Sequence, residues 1–364
     1  MEKIKIKEQF LVSPFLVFFL VHSVQFGIGV LGFQRIIAKT AGNDSWMAII
    51  LASLFVHLFI WMIYQILKDS QGDIFSVHQS NFGKWIGGFL SCLFIVYLIF
   101  MAIVTLRGYL EVIQVWVFPE INAWVFTILF LLLAIYIIYG GFRVVVGISF
   151  FSVTLTAYLL LTMVFPLEFA NMRNILPLFD HTFKDIAMAT KDMTLTLIGF
   201  EVLFVCYPFI KEPLKSRKWA HLGALYTTIA CLIYGVTALV FFSEYHLEKK
   251  IWATLSMWGI VEIPIVERFE YIGIASWLLV ILPNLCLTMW ASSRGIKRLF
   301  NVKQKTVVLV ISFIILMITG LTKSRKEINL LIDILSQSGT YFLLGYLPFL
   351  FLFTTIKRKI RSKQ

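Results

Sequence analysis

Two polar interruptions in otherwise apolar sequence carry the chemistry open to this chain. The first is Gln25-Phe26-Gly27-Ile28-Gly29-Val30-Leu31-Gly32, with Ser23 just before it. Glycine costs about 1 kcal/mol in a helix interior, so three close together make local unwinding cheap. In hydrocarbon, unwound backbone has to face protein, water or a ligand. The other use of such glycines is close packing of one helix on another. The second interruption is Gly199-Phe200-Glu201-Val202, inside the apolar run 186–210, with Pro208 beyond it. A carboxylate at that depth is expensive and faces the bundle interior or a wet cavity. Glu201 can bind an ammonium group, take up a proton, or serve only to hold the opened backbone. Half-helix N-termini favour anions, and freed carbonyls favour cations.

Other runs offer polar side chains to the same depth. Asn284, Thr288 and Ser292 recur at i, i+4 and i+8, on one helical face, after the kinking residue Pro283. Such a stripe either joins helices or lines a cavity. Tyr97 and Met101 stand four apart in another run, and a buried tyrosine hydroxyl needs a partner. His22 and His57 read as satisfied buried residues. Arg35 and Arg107 stand near the outer ends of their runs, where they can snorkel to the interface. The pattern contains no metal-ligand cluster, no phosphate-binding glycine loop next to a lysine, and no serine or cysteine nucleophile motif. A single deep acid does not make a catalytic pair. No enzyme activity, cofactor or metal is expected. Cys92, Cys206, Cys231 and Cys286 all fall in apolar runs with no Cys-x-x-Cys pair, as small buried residues do.

The elements that position these residues follow from composition. Of 364 residues, 59% are hydrophobic and only 14% charged, against about a quarter charged in soluble domains. Mean hydropathy is +0.87. Apolar blocks of roughly 17–25 residues match the ~30 Å core of a bilayer. Ten spans are expected, near 10–31, 46–67, 85–106, 121–139, 144–165, 186–210, 219–242, 271–293, 306–322 and 340–356. They read as helices, because barrel strands are about ten residues long and alternate. The first run is too long for the apolar core of a cleaved signal peptide. The expected fold is an all-α polytopic membrane protein, with residues 1–364 as a single integral membrane domain.

The net charge of +12 suggests nucleic acid until its distribution is seen. With the N-terminus inside, twenty of the 32 lysines and arginines fall in inner segments, including Lys3, Lys5, Lys7, 211–218, 294–305 and the tail from Lys357 to Lys363. That bias puts both termini in the cytoplasm. The basic tail suits a stop-transfer anchor near anionic lipid. No nucleic-acid role is expected. The outer loops are 166–185 and the longer 243–270, which contains Pro264. In the latter, Leu247–Trp258 reads either as a solvated loop or as a short helix across the outer face, with Ile251, Leu255 and Trp258 on one side.

Five spans, a long outer loop and five more spans force the second half to enter the membrane from the opposite side. This is a 5+5 inverted repeat, residues about 10–165 and 186–356, with the first and sixth helices discontinuous. Broken helices at matching places in two halves point to a ligand site at the midplane.

Ten spans with a Gly-Ile-Gly break in the first and a Gly-Phe-Glu break in the sixth resemble the amino acid–polyamine–organocation superfamily, whose fold is that of sodium-coupled amino acid transporters. More closely, the chain resembles the B subunit of the nutrient germinant receptors of spore-forming Bacilli, over nearly its whole length. The resemblance implies a place in the spore inner membrane beside an A subunit and a lipoprotein C subunit. It implies recognition of a small nutrient, often an amino acid, that triggers germination. Carried onto this sequence, the implied pocket comprises Gly27, Ile28, Gly29, Tyr97, Gly199, Phe200, Glu201, Asn284 and Thr288. Two departures weigh against active transport. Proton-coupled relatives often carry a lysine in the fifth span, and 144–165 has none. The paired hydroxyls Ser292 and Ser293 stand near the inner end of the eighth, away from where related transporters hold sodium. A receptor subunit is therefore the leading reading. An amino acid or amine permease is the alternative, and a scaffold with a degenerate pocket the third.

Overall fold

A backbone in hydrocarbon must satisfy its own N–H and C=O groups, and this chain does so almost wholly by helix formation. The computed structural model describes residues 6–70, 72–262 and 267–361. Lys3, Lys5, Pro264 and Lys363 lie outside them. Apart from an isolated parallel bridge between Val12 and Ile210, regular structure in the described residues is helical. The principal helices are α1 (Leu16–Gln25), α2 (Phe33–Ala41), α3 (Ser45–Ser70), α4 (Ile74–Trp116), α5 (Ala123–Tyr139), α6 (Phe142–Thr156) and α7 (Phe183–Asp192). They are followed by α8 (Arg217–Phe241), α9 (Glu244–Lys249), α10 (Ala253–Trp258), α11 (Phe269–Phe300), α12 (Gln304–Leu321), α13 (Arg325–Tyr341) and α14 (Leu347–Arg361).

Among the described residues, seven helical stretches are long and apolar enough to cross a membrane, and three shorter apolar helices, Leu16–Gln25, Ala123–Tyr139 and Phe200–Phe209, accompany them. Two of these three adjoin the glycine breaks. Several boundaries differ from the sequence reading. The span expected at 85–106 is the middle of α4, which starts at the Asp73 cap and bends at Gly83 (φ 77°). The span expected at 340–356 is the second part of a longer element. That element begins at Arg325 with a Ser324/Glu327 capping box and passes through a π-helical turn at Phe342–Tyr346 before α14. Its first residues, Arg-Lys-Glu, read as loop by hydropathy, yet a capping box followed by apolar periodicity starts a helix.

Polar side chains hold the bundle together as well as apolar packing. Between α3 and α8, with Ser216 at the cap of α8, the pairs Tyr64–Ser216 (2.6 Å), His57–His221 (2.9 Å) and Ser53–Thr228 (2.5 Å) form a seam. His22 on α1 bonds Thr227 at 2.9 Å, the satisfied buried role expected of it. Arg107 does not snorkel. It is buried, and its Nε donates to the Thr322 carbonyl at 2.9 Å. Cys206, Cys231 and Cys286 are buried thiols, and Cys92 is partly exposed.

The two long loops expected to lie outside are tied down. Asp44, fully buried between α2 and α3, accepts the backbone N–H groups of Phe179, Asp180 and His181 at 2.7, 2.8 and 3.1 Å. The stretch Leu247–Trp258 is not one helix. It divides into α9 and α10, with Ile251 exposed at the joint while Leu255 and Trp258 are buried.

Candidate ligand site at the two helix breaks

The first break lies where α1 ends. Phe26 leaves helical geometry, Gly27 is extended (φ −131°, ψ −146°), and a short 3-10 turn, Ile28–Leu31, leads through Gly32 into α2. The second break follows α7. A four-residue turn, Thr194–Leu197, gives way to extended Ile198 and then Gly199 at φ 120°, ψ −31°. Only glycine holds that conformation readily. The 3-10 turn Phe200–Val202 then restarts the helix.

The two breaks touch. A β-carbon on Gly199 would stand 2.6 Å from the Val24 carbonyl, and one on Gly29 would stand 3.0 Å from Thr196 Cα. One on Gly27 would stand 2.9 Å from Asn284 Nδ2. Side chains close the opened backbone across long sequence separations. Gln25 Nε2 donates to the Leu197 carbonyl at 2.8 Å. Asn284 Nδ2 donates to the Val24 carbonyl at 2.9 Å, while its Oδ1 accepts from Thr105 at 3.3 Å. Glu201 is fully buried. Its Oε2 accepts the Gly199 N–H at 2.5 Å and its Oε1 accepts the Tyr97 hydroxyl at 3.1 Å. The carboxylate thus clamps its own break while one oxygen faces a neighbouring helix. Gln25 Oε1 is buried with no hydrogen-bond partner among the described residues, so the junction retains an acceptor on the amide that meets Leu197.

Most of the residues picked from the sequence meet here. Gly27, Gly29, Gly199, Glu201, Tyr97 and Asn284 form the junction, Ile28 packs beside Gly108 of α4, and Phe200 is fully buried. Thr288 does not present its hydroxyl to the junction. It donates back to the carbonyls of Asn284 and Leu285, and Ser292 does the same to Thr288 and Met289. The polar stripe on α11 therefore reaches other helices through Asn284, and its hydroxyls serve their own helix, as serine and threonine commonly do.

Some participants have little sequence signal. Gln25 is one, signalled only as a polar residue ahead of the glycines. A lock between α4 and α13, formed by Glu111 and Arg325, is another. Arg325 Nη1 meets Glu111 at 2.5 Å, and its guanidinium lies 5.7 Å from the centre of the Trp252 ring. Trp252 lies between α9 and α10, which sit directly over the first break. Thr254 donates to the Val30 carbonyl at 2.9 Å, Gln34 donates to Thr254 at 2.8 Å, and Arg35 donates to the Glu248 carbonyl at 2.6 Å.

Comparison with known proteins places the chain. A family model described as spore germination protein matches residues 11–328. The chain belongs to that family. It is 44% identical to the spore germination protein GerQB of Bacillus cereus, over 99% of this chain and 100% of that one. It is 23% identical to spore germination protein A2 of Bacillus subtilis (strain 168), over 94% of this chain and 95% of the other. Among solved structures it resembles a Na+-coupled sialic acid symporter in a substrate-bound outward-open state. The TM-score is 0.67 at 13% identity, covering 94% of this chain and 78% of the symporter. It also resembles MhsT in complex with L-phenylalanine, with a TM-score of 0.59 at 13% identity, covering 95% and 98%. The fold is thus that of sodium-coupled transporters. The protein is an integral membrane protein of a permease-like family, and neither that family nor these neighbours are enzymes.

Proposed function

We propose that this protein is the B-type membrane subunit of a germinant receptor, binding a small nutrient between its two broken helices. The observation that carries this reading is the junction itself. Two helix breaks abut at Gly199 and Val24, with the buried carboxylate of Glu201 on one side and the amides of Gln25 and Asn284 on the other. Building such a junction into a membrane helix costs stability, and irregular backbone at depth is tolerated where it is buried in protein or lines a cavity. The pocket residues are Gly27, Ile28, Gly29, Tyr97, Gly199, Phe200, Glu201, Asn284 and Thr288, with Thr288 acting through the backbone of Asn284. An amino acid suits them. Its ammonium group meets acceptors at Glu201 and Gln25, and its carboxylate meets the N–H groups of a helix restart.

In this reading the chain has ten spans as a 5+5 inverted repeat within one membrane domain. It sits in the spore inner membrane with both termini cytoplasmic, beside A and C subunits. Nutrient binding shifts the bundle toward one arrangement by differential affinity for two states. The cap of α9 and α10, bound to the first break through Thr254, moves with it, and the change passes to the partner subunits to trigger germination.

A second reading, an amino acid or amine permease, draws on the fold shared with sodium-coupled transporters. One experiment separates the two. The purified protein is placed in lipid vesicles and offered labelled amino acids, and binding and uptake are followed together. Saturable binding without accumulation, abolished in Gly29→Leu, supports the receptor. Accumulation over time supports the permease. Binding unaffected by Gly29→Leu refutes the pocket.

A further inference from the structure

At the N-terminal end of α8 a cleft of about 710 Å³ opens between the start of α1 and the start of α8. Its walls include Phe15, Leu214, Lys215, Arg217, Lys218 and Trp219. We propose that this cleft binds the headgroup of an anionic phospholipid. The proposal rests on the membrane embedding of the chain and is independent of the nutrient site.

Three observations carry it. The first is uncompensated charge. Three other cations near this end of the bundle are engaged. Lys211 pairs with Glu8 at 2.9 Å, Arg143 donates to the carbonyls of Leu11 and Glu8, and Arg298 pairs with Asp73. Inside the cleft, Lys215 is held by Glu212 at 2.5 Å. Arg217, half-buried, has no hydrogen bond or ion pair within the described residues, and Lys218 only overhangs the Trp219 ring at 5.2 Å. Two neighbouring guanidinium and ammonium groups without an acid suit a phosphodiester.

The second observation is the wall. Phe15 and Leu214 are 44% and 55% exposed, and Trp219 meets Phe15 edge-on at 6.4 Å. A tryptophan beside basic residues is the pattern of the lipid–water interface. A site for free phosphate has no use for this apolar half. The third is continuity. From the cleft, Leu222, Leu225 and Ile229, each 44–45% exposed, recur along the outside of α8 at i, i+3 and i+7. That stripe offers an acyl chain a track from a headgroup held at Arg217 and Lys218. The first turn of the 25-residue α8 adds its positive end to the same place.

The test uses the full chain in detergent and native mass spectrometry. Phosphatidylglycerol and phosphatidylcholine of identical chains are titrated separately, and inorganic phosphate is added in excess as competitor. Retention of phosphatidylglycerol over phosphatidylcholine, undisturbed by inorganic phosphate, is the expected result. The double variant Arg217→Gln/Lys218→Gln should weaken phosphatidylglycerol binding by roughly 30-fold, from about fivefold per basic residue near an anionic headgroup. Arg217→Lys/Lys218→Arg should keep it. Equal retention of both lipids by the unaltered protein overturns the proposal without reference to any variant. Displacement of the lipid by inorganic phosphate overturns it in favour of a free-phosphate site. Unchanged lipid binding in a folded Arg217→Gln/Lys218→Gln variant overturns it as well.

Discussion

The contact between Tyr97 and Glu201 lends itself to a double-mutant cycle. Its two partners lie 104 positions apart, on α4 and at the second break, and both are buried. Tyr97→Phe removes the hydroxyl that donates to Oε1 at 3.1 Å and leaves the ring, which stacks on Phe342 at 5.5 Å. The lost stabilisation should therefore be that of the hydrogen bond and not of the packing. A buried acceptor deprived of one donor costs about 1–3 kcal/mol. Glu201→Met keeps the length of the side chain and removes both acceptor oxygens, so it breaks this contact together with the one to the Gly199 N–H. The coupling, obtained by comparing the double variant with the two single ones, should fall near the values for hydrogen bonds between membrane helices, about 0.6 kcal/mol and at most ~1.7. The assay is unfolding in mixed micelles, with helix content as the readout. Additivity of the two single effects, within about 0.3–0.5 kcal/mol, would show that the two side chains do not communicate. The clamp on the second break would then have to come from the Gly199 N–H alone.

Further tests concern backbone, lock and cap. Gly199→Ala forces a left-handed conformation and a clash with the Val24 carbonyl, whereas Gly83, at φ 77°, has nothing within 4 Å of its would-be side chain. Gly83→Ala should lose only the conformational cost of its positive φ, about 1–3 kcal/mol, and Gly199→Ala clearly more in the same micelle unfolding; equal losses would contradict the abutting breaks. Arg325→Ala strips Glu111 of its ion pair. Arg325 is 37% exposed on its side chain, so solvent screening holds the expected loss to about 1–3 kcal/mol, and Glu111→Gln in the same background should restore part of it. Thr254→Val removes the donor to the Val30 carbonyl and should cost about 1 kcal/mol. Hydrogen exchange across 244–258 should rise, and unchanged exchange there would detach the cap from the break.

Hydropathy blocks made the helical bundle legible, clustered glycines the first break, and a glycine beside a deep acid the second, because each is a local property of the chain. Glu201, Tyr97 and Asn284 stood out as polar groups in apolar runs, and such groups need partners wherever they sit. What hydropathy cannot carry is direction. Thr288 and Asn284 share a helical face, yet one hydroxyl folds back on its own helix while the amide crosses to Val24. Arg107 stands just past the end of its expected run, where snorkelling is the usual outcome, but α4 continues to Trp116 and the Thr322 carbonyl lies within its reach. The start of α13 was hidden by three charged residues that hydropathy treats as loop, although the Ser324/Glu327 box marks it. The split of the cap into α9 and α10 depends on packing against Gly32, a residue far earlier in the chain.

The opened carbonyls of the first break have a bearing on how the protein is made. Val30 waits for Thr254, and Val24 waits for Asn284, 224 and 260 positions later in the chain. At about 5–20 residues per second, the ribosome supplies those donors on the order of ten to fifty seconds after the first helix has emerged. During that interval the first helix carries bare carbonyls that lipid cannot satisfy. A nascent chain interrupted before residue 254 therefore has an incomplete first membrane helix as well as a shortened sequence.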